Sequence, residues 1–141
     1  MGSRSRESGS DSARELCHHP CVSATVLVVD DHSSFRRFAR RLLESAGFAV
    51  VDEASDGASA LAAVQALRPD VVLLDVLLPD TTGFELAELL SVGSTCPTVV
   101  LTSSRSAADF DASLARSSAR GFIAKRDLTA AAFAALVEGA R

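Results

Sequence analysis

The sequence predicts an α/β fold in which strands and helices alternate along the chain. Short apolar runs such as residues 26–29 (VLVV) and 71–74 (VVLL) are bounded by polar residues, as in parallel strands buried on both faces. The segments between such runs carry apolar residues at helical spacing. Alternating strands and helices of these lengths predict a parallel sheet with helices on both faces, a three-layer sandwich of five βα units.

The composition and net charge of the chain argue against several classes of function. The chain has 141 residues, 48% of them hydrophobic, which is enough for one domain with its own core. Its net charge of −4 argues against a basic surface for nucleic acid or anionic lipid, so we expect no DNA to be bound by this chain itself. No apolar run approaches the roughly 18 residues of a membrane span, and we expect a cytoplasmic protein without a membrane partner.

The N-terminal part differs in composition from the rest. Residues 1–23 are rich in Ser, Arg and Gly, and we expect a disordered extension before a domain over residues 24–141. The segment Cys17-His18-His19-Pro20-Cys21 offers four possible zinc ligands, but structural zinc sites draw on two well-separated ligand pairs. A flexible tail is therefore the favoured interpretation of this cluster.

The first predicted helix has the clearest boundaries. It follows a strand over residues 25–29, starts with Ser33 as N-cap and ends with Gly47 as C-cap. Apolar residues occupy one face and arginines the other, as in an amphipathic surface helix. A second strand is predicted over residues 48–54.

The remaining elements repeat the pattern. The helix over residues 107–117 has a thin apolar face, with Phe110 and Leu114 as its main anchors. The last helix takes Thr129 as N-cap. The other predictions are a helix that opens at Asp56-Gly57 and stops before Pro69, strands over residues 71–74, 97–101 and 121–124, and a helix over residues 83–91.

Polar side chains end four of the apolar runs. The first strand is followed by Asp30 and Asp31, the third by Asp75, the fourth by Thr102 and the fifth by Lys125. In a flavodoxin-like strand order, 2-1-3-4-5, the first and third strands flank the switch point where such sheets bind ligands. We therefore expect these five side chains to converge at one edge of the sheet, although Asp75 alone fits a turn cap equally well.

The predicted cluster has a definite chemistry. Carboxylates held together repel one another, and a hard divalent cation such as Mg²⁺ relieves that repulsion. A carboxylate beside Mg²⁺ and an ammonium can act as a nucleophile toward phosphorus and form an aspartyl phosphate. Lys125 is the only lysine among 14 basic residues, which favours a specific need for a compact ammonium at that position.

At these residues the chain resembles the receiver domains of two-component response regulators. The resemblance spans residues from about 24 to 140 and is carried by VLVVDDHSS, LLDVLLPDTTG, VVLTSS and GFIAK. These motifs most resemble those in the receivers of LuxR/NarL/FixJ-type regulators. The separations also look like those of the family, with 75 − 31 = 44 residues between Asp31 and Asp75 and 125 − 102 = 23 between Thr102 and Lys125.

The resemblance implies roles for individual residues. Asp75 would be the phosphoacceptor, assisted by Lys125 and Thr102. Mg²⁺ would be held by Asp30 (through water), Asp31, Asp75 and the backbone carbonyl of Leu77, and Thr102 and Phe122 would form a switch pair. The implied partners are a sensor histidine kinase or phosphotransfer protein and, on phosphorylation, a second copy of the chain.

One position departs from the family pattern. Many receivers have a proline in a cis peptide directly after the lysine, and here Arg126 occupies that position. LuxR-type regulators often lack that proline. Their DNA-binding output domain would need about 60 more residues. The chain ends at Arg141, so we expect either a stand-alone receiver or an excised domain.

Three functions remain open at this point. The first is a phosphorylation-dependent switch that catalyses only its own phosphorylation and dephosphorylation, and the second is a receiver-like interaction module that takes no phosphate. The third is a phosphohydrolase of the haloacid dehalogenase type, but such enzymes carry a D-x-D pair where this chain has Asp30-Asp31-His32. His32 is expected to lie in solvent at the entry of the first helix rather than to act as a general base.

Overall fold

The computed structural model describes residues 24–93 and 96–138. One parallel sheet contains the strands β1 (Thr25–Val29), β2 (Ala49–Ala54), β3 (Val71–Asp75), β4 (Thr98–Ser103) and β5 (Gly121–Ala124). The helices are α1 (Ser33–Ser45), α2 (Gly57–Leu67), α3 (Gly83–Ser91), α4 (Asp111–Arg116) and α5 (Ala130–Glu138), with 3₁₀ turns at Ala107–Phe110 and Lys125–Asp127. The strand order is β2-β1-β3-β4-β5, so the predicted flavodoxin-like (βα)5 fold is confirmed.

Each face of the sheet has its own hydrophobic core. Successive side chains of a strand point to opposite faces, so Val28 of β1 joins one core and Leu27 joins the other. The first core includes Leu43 of α1 and Phe133 of α5, and the second includes residues of α2 and α3 such as Leu86. All five residues of β3 are buried, as expected for a central strand covered on both sides.

Three of the predicted helix ends can be checked against hydrogen bonds. Gly47 ends α1 as predicted but lies one position beyond the C-cap residue, which is Ala46; it has φ +98° and donates its N–H to Glu44 O at 3.1 Å. Thr129 Oγ1 accepts from Ala132 N at 3.0 Å and caps α5 as predicted. The prediction that Ser33 caps α1 is wrong, because Ser33 already has helical backbone geometry and His32 occupies the N-cap position.

Three strands have different bounds from those predicted, and one of them, β3, ends at Asp75 instead of residue 74 because Asp75 still pairs with Thr102 of β4. β4 spans Thr98–Ser103 rather than residues 97–101, because its last two residues still pair with β5, Thr102 with Ile123 and Ser103 with Ala124. The hydroxyls therefore lie within the strand and not after it. β2 begins at Ala49, one residue later than predicted.

The segment before β5 is not the single helix predicted over residues 107–117. It is a 3₁₀ turn at Ala107–Phe110 followed by α4, and none of the residues in these two elements is buried. Asp109 accepts from the backbone N–H of Ser106 at 3.1 Å, which tightens the first turn. With so little apolar surface to bury, local hydrogen bonds outweigh the packing that would stabilise one continuous helix.

Two sequence predictions concern segments at the limits of the structure. The extension over residues 1–23 and its Cys17–Cys21 cluster lie outside the described residues, so the predicted domain boundary stays a prediction. Within residues 24–93 and 96–138, no helix combines the length and the apolar character needed to cross a membrane.

Candidate functional site

Four strands deliver the predicted site residues to one edge of the sheet. Asp75 is the last residue of β3 and pairs in register with Thr102 of β4. Asp30 directly follows β1, and Lys125 directly follows β5. Because all strands are parallel, these four side chains share the carboxyl edge at the switch point between β1 and β3.

Lys125 connects the two buried carboxylates. Its Nζ lies 2.7 Å from Asp30 Oδ2 and 3.8 Å from Asp75 Oδ2. Asp30 is fully buried, and its Oδ2 has no well-aligned hydrogen bond among the described residues, so the ammonium compensates that charge. The predicted convergence of Asp30, Asp75 and Lys125 is confirmed by these distances.

The environment of Asp75 raises the pKa of its carboxyl group. Burial and the negative charge of Asp30 raise the pKa of Asp75 to about 6, with a smaller contribution from Asp31. The Lys125 ammonium and the Leu77 N–H, which lies 3.4 Å from Asp75 Oδ1, act in the opposite direction. The net effect means that an added positive charge near Asp75 would favour the ionised carboxylate.

The acidic cluster is suited to a divalent cation. Asp30, Asp31, His32 and Asp75 each offer a ligand atom, and these atoms all lie within 4.8 Å of one another. Carboxylate oxygens are the ligands that Mg²⁺ prefers, and the cluster holds three carboxylates beside the single ammonium of Lys125. The residues present therefore fit a hard divalent cation.

His32 contributes more than the sequence suggested. Its side chain is 67% exposed, as expected for a helix-entry position. However, Nδ1 lies 3.1 Å from Asp30 Oδ1 and 3.0 Å from Asp31 Oδ1. The His32 backbone N–H also donates to Asp30 Oδ1 at 2.8 Å, so this residue orients the acidic pair. Its position directly after two aspartates is the signal that could have revealed this contact.

Thr102 and Phe122 do not point their functional groups at Asp75 in this structure. The buried Thr102 hydroxyl donates to the backbone carbonyl of Ile123 at 2.7 Å. The half-buried Phe122 ring packs on Phe110, with ring centroids 6.0 Å apart, and Phe110 packs on Phe84 at 5.7 Å. The aromatic contacts thus join β5 and α3 to the weakly anchored segment before α4.

The loop between β3 and α3 is folded back on itself. Leu77 and Thr82 form an isolated antiparallel bridge, and Gly83 N donates to Val76 O at 2.7 Å. Leu78 N donates to Thr81 O at 3.2 Å. These bonds give the backbone at Leu77 a defined geometry beside Asp75, while its role as a metal ligand stays a prediction.

Asp80 ties this loop to the start of α2. Its two carboxylate oxygens accept from Gly57 N at 2.8 Å and from Ala58 N at 3.1 Å, which are donors of the first helical turn. Asp56 accepts from Ser59 N at 2.8 Å, so two aspartates share the capping of α2. The sequence indicated only a turn residue at position 80.

We expect Asp80→Ala to lower the free energy of unfolding by about 1–2 kcal/mol, because it leaves two helical N–H groups without their acceptors. Asp80→Asn, which keeps one acceptor oxygen, should lose less. Urea unfolding followed by circular dichroism measures both. Asp127→Ala is the control, since Asp127 accepts no hydrogen bond in the described part of the chain; an equal loss in the control would contradict the capping role.

The peptide after Lys125 has ordinary geometry. No cis peptide bond occurs among the described residues, and Lys125–Asp127 forms a 3₁₀ turn. Arg126 therefore stands in a trans peptide where many receivers have a cis proline.

The fold and the pocket together define a class of protein. A parallel sheet of order 2-1-3-4-5 with clustered aspartates and a lysine at its switch point is a flavodoxin-like fold with an acidic binding pocket. The family model for the response regulator receiver domain matches residues 26–136. The chain therefore belongs to the response regulator receiver domain family, and the resemblance seen in the sequence is confirmed.

Known structures and curated proteins agree with this assignment. The structure is similar to the signal receiver domain of NarL from Mycobacterium tuberculosis, with 34% identity, a TM-score of 0.73, and coverage of 83% of this chain and 98% of that chain. A LuxR-family two-component response regulator from Aurantimonas sp. SI85-9A1 gives 27% identity and a TM-score of 0.74, covering 83% of this chain and 86% of that chain.

The curated relatives are longer than the matched segment. The DNA-binding response regulator MtrA of Mycobacterium tuberculosis is 41% identical over 86 residues, which cover 60% of this chain and 36% of MtrA. A Pseudomonas aeruginosa protein is 38% identical over 103 residues, covering 72% of this chain and 49% of that protein. The chain thus spans about half or less of the length of these relatives.

Proposed function

We propose that this chain is a phosphorylation-dependent signalling switch that accepts a phosphoryl group on Asp75 in a Mg²⁺-dependent reaction. The observation that carries the proposal is the position of Lys125 Nζ, which lies 2.7 Å from Asp30 and 3.8 Å from Asp75 at the switch point of the sheet. A buried carboxylate beside an ammonium and a second carboxylate is suited to phosphoryl transfer. The donor is the phosphohistidine of a sensor histidine kinase or of a phosphotransfer protein.

The transfer itself is a displacement at phosphorus. An Asp75 carboxylate oxygen forms the new O–P bond, and the P–N bond of phosphohistidine breaks with its electron pair left on the imidazole, which takes a proton from solvent. A small acyl phosphate reacts in the same way by loss of its carboxylate. Lys125 stabilises the charge on the phosphoryl oxygens, so the protein contributes mainly position and charge.

The acidic residues prepare the pocket for the cation. Asp31, Asp75 and the Leu77 carbonyl would hold Mg²⁺ directly, and Asp30 would hold it through water. When bound, Mg²⁺ neutralises charge on the carboxylates and on the phosphoryl oxygens. His32 orients the acidic pair through its backbone N–H and ring nitrogen. Asp75 must be ionised to attack phosphorus, and positive charge beside it favours that form.

The switch would act through Thr102 and Phe122. Phosphorylation adds about −1.5 to −2 charges and three acceptor oxygens at Asp75, which attract the Thr102 hydroxyl away from Ile123. Phe122 then turns inward, and its contact with Phe110 changes. The segment from Ala107 to Arg116 is supported mainly by such contacts, since none of its residues is buried, and it is the element that we propose responds.

The consequences for partners follow from the same switch. We propose that phosphorylation promotes pairing with a second copy of the chain, and that the protein works in the cytoplasm where its kinase presents phosphohistidine. The response is a change of interaction surface rather than turnover of a substrate. MtrA is named a DNA-binding response regulator, but the negative net charge of this chain favours a protein partner over DNA.

Intact-mass analysis tests this proposal. The protein is incubated with acetyl phosphate, with Mg²⁺ or with EDTA. We expect one phosphoryl adduct that requires Mg²⁺, that is lost in Asp75→Asn and that persists in the exposed control Asp52→Asn. An adduct that survives in Asp75→Asn would contradict the assignment of the nucleophile. No adduct with any donor would favour a phosphorylation-independent interaction module, and continuous phosphate release from many substrates would favour a phosphohydrolase.

A further inference from the structure

The aromatic ring of Phe35, in the first turn of α1, lies against the Lys125 ammonium. Lys125 Nζ is 4.5 Å from the centroid of the Phe35 ring. This distance is within the range of a cation–π interaction, in which the negative face of the ring attracts a positive charge. Phe35 thus contacts the catalytic machinery of the pocket, although the sequence indicated only an apolar position of α1.

Three neighbours surround the ammonium. Asp30 Oδ2 lies at 2.7 Å and Asp75 Oδ2 at 3.8 Å, and the ring closes another side. Only 18% of the Lys125 side chain is exposed. A lysine has four flexible carbons and normally extends its charge into water, so holding it in a pocket requires attraction from several directions.

We propose that Phe35 is a positioning residue that holds the Lys125 ammonium in the pocket through the face of its ring. The proposal rests on the proposed function, because the ammonium serves the phosphoryl group there. An aromatic face attracts the cation without accepting a conventional hydrogen bond. The N–H groups of Lys125 therefore remain available to Asp30, Asp75 and the phosphoryl oxygens, whereas a third carboxylate at this position would compete for them.

Simple packing is the competing explanation, and it must be separated from the electrostatic one. Phe35 lies at the edge of the core between the sheet, α1 and α5, and its ring is 6.1 Å from that of Phe38. A substitution such as Phe35→Leu changes shape and ring charge together. The decisive variable is therefore the charge distribution of the ring at nearly constant shape.

A fluorination series at position 35 provides that variable. Mono-, di- and trifluorinated phenylalanine weaken the negative ring face step by step with little change in shape. We expect the rate of phosphorylation by acetyl phosphate to fall in the same steps, by about three- to tenfold over the series. The same series at Phe38, which packs on Phe35 and is 48% exposed, is the control and should leave the rate unchanged.

A second readout does not depend on phosphorylation. Lys125 is the only lysine, so isotope-labelled lysine gives signals from one side chain. We expect its terminal methylene protons to be shifted upfield by the Phe35 ring, to return to ordinary values in Phe35→Leu, and to become more mobile along the fluorination series.

The outcomes separate the two proposals. Stepwise loss of the constrained lysine signal supports the role of Phe35, whether or not the protein takes a phosphoryl group. Unshifted lysine signals in the unmodified protein, or a fluorination series without any effect on lysine mobility, would overturn it. A protein that shows the shifted lysine signals but accepts no phosphoryl group would overturn the proposed function and leave the Phe35 contact standing.

Discussion

Replacing Asp75 with asparagine is expected to stabilise the metal-free protein at pH 7.5. The pKa of Asp75 is raised to about 6 by burial and by Asp30, so at this pH the folded protein carries an ionised carboxylate in surroundings that oppose it. Because this pKa lies above the ordinary value of 3.8, the ionised Asp75 carboxylate lowers the free energy of unfolding at pH 7.5 by about 3 kcal/mol. Asparagine keeps the shape and removes the charge.

The stabilisation expected from Asp75→Asn should depend on pH. A carboxyl group with a raised pKa in the folded state binds its proton more tightly there, so it adds stability at low pH and loses that contribution as the pH rises through about 6. At pH 5 Asp75 is mostly protonated in the folded protein, and the gain from asparagine should be smaller than at pH 7.5 by about 1.4 kcal/mol.

Urea unfolding in EDTA at the two pH values measures this effect. Circular dichroism is the suitable signal, since the chain contains no Trp and no Tyr. Asp52→Asn, at an exposed position of β2, controls for the amide substitution. A gain of the same size at both pH values, or a loss at pH 7.5, would show that the charge of Asp75 does not oppose folding.

Gly83→Ala should destabilise the protein by about 3 kcal/mol or more, because the added methyl group has no space. A Cβ on Gly83, the first residue of α3, would lie 2.6 Å from the backbone oxygen of Asp75 and 2.9 Å from Val76 Cα. Both atoms belong to the backbone and cannot rotate away. Relieving the overlap would move α3 or the end of β3, so phosphorylation of Asp75 should slow as well.

Gly57→Ala is a matched control because Gly57 is also the first residue of its helix, α2. A Cβ there would lie 2.5 Å from Thr81 Cγ2 and 3.2 Å from Asp80 Oδ1, which are ends of side chains. Side chains can rotate, so its loss of unfolding free energy should be smaller than that of Gly83→Ala. Equal losses in urea unfolding would mean that the backbone overlap at Gly83 is relieved without strain.

The fold was predictable because its signals are local. The buried runs of β1 and β3 and the turn residues between them determine where strands lie, and parallel connectivity then places all strand ends on one edge. Asp30, Asp75 and Lys125 come together because each of them lies at the end of a strand on that edge. The strand order needed no knowledge of side-chain contacts.

Contacts between distant segments were not predictable in the same way. Asp80 reaches the first turn of α2, and Phe35 reaches Lys125 across 90 residues of chain (125 − 35 = 90). Each depends on the packing angle of a helix against the sheet, which a periodic pattern does not specify. The interruption of the predicted helix over residues 107–117 was also not predictable. A local hydrogen bond at Ser106 competes there with packing against the rest of the domain, and the sequence does not give the energy of that packing.

The buried hydrogen bond from Thr102 to Ile123 bears on the background output of the proposed switch. Breaking it without a phosphoryl group leaves the Ile123 carbonyl buried and without its partner, which costs about 1–3 kcal/mol. That cost lowers the population of the active arrangement by about 5- to 150-fold before any stimulus arrives. One hydrogen bond would thereby limit the activity of the unphosphorylated protein, and phosphorylation must supply enough free energy to overcome its cost.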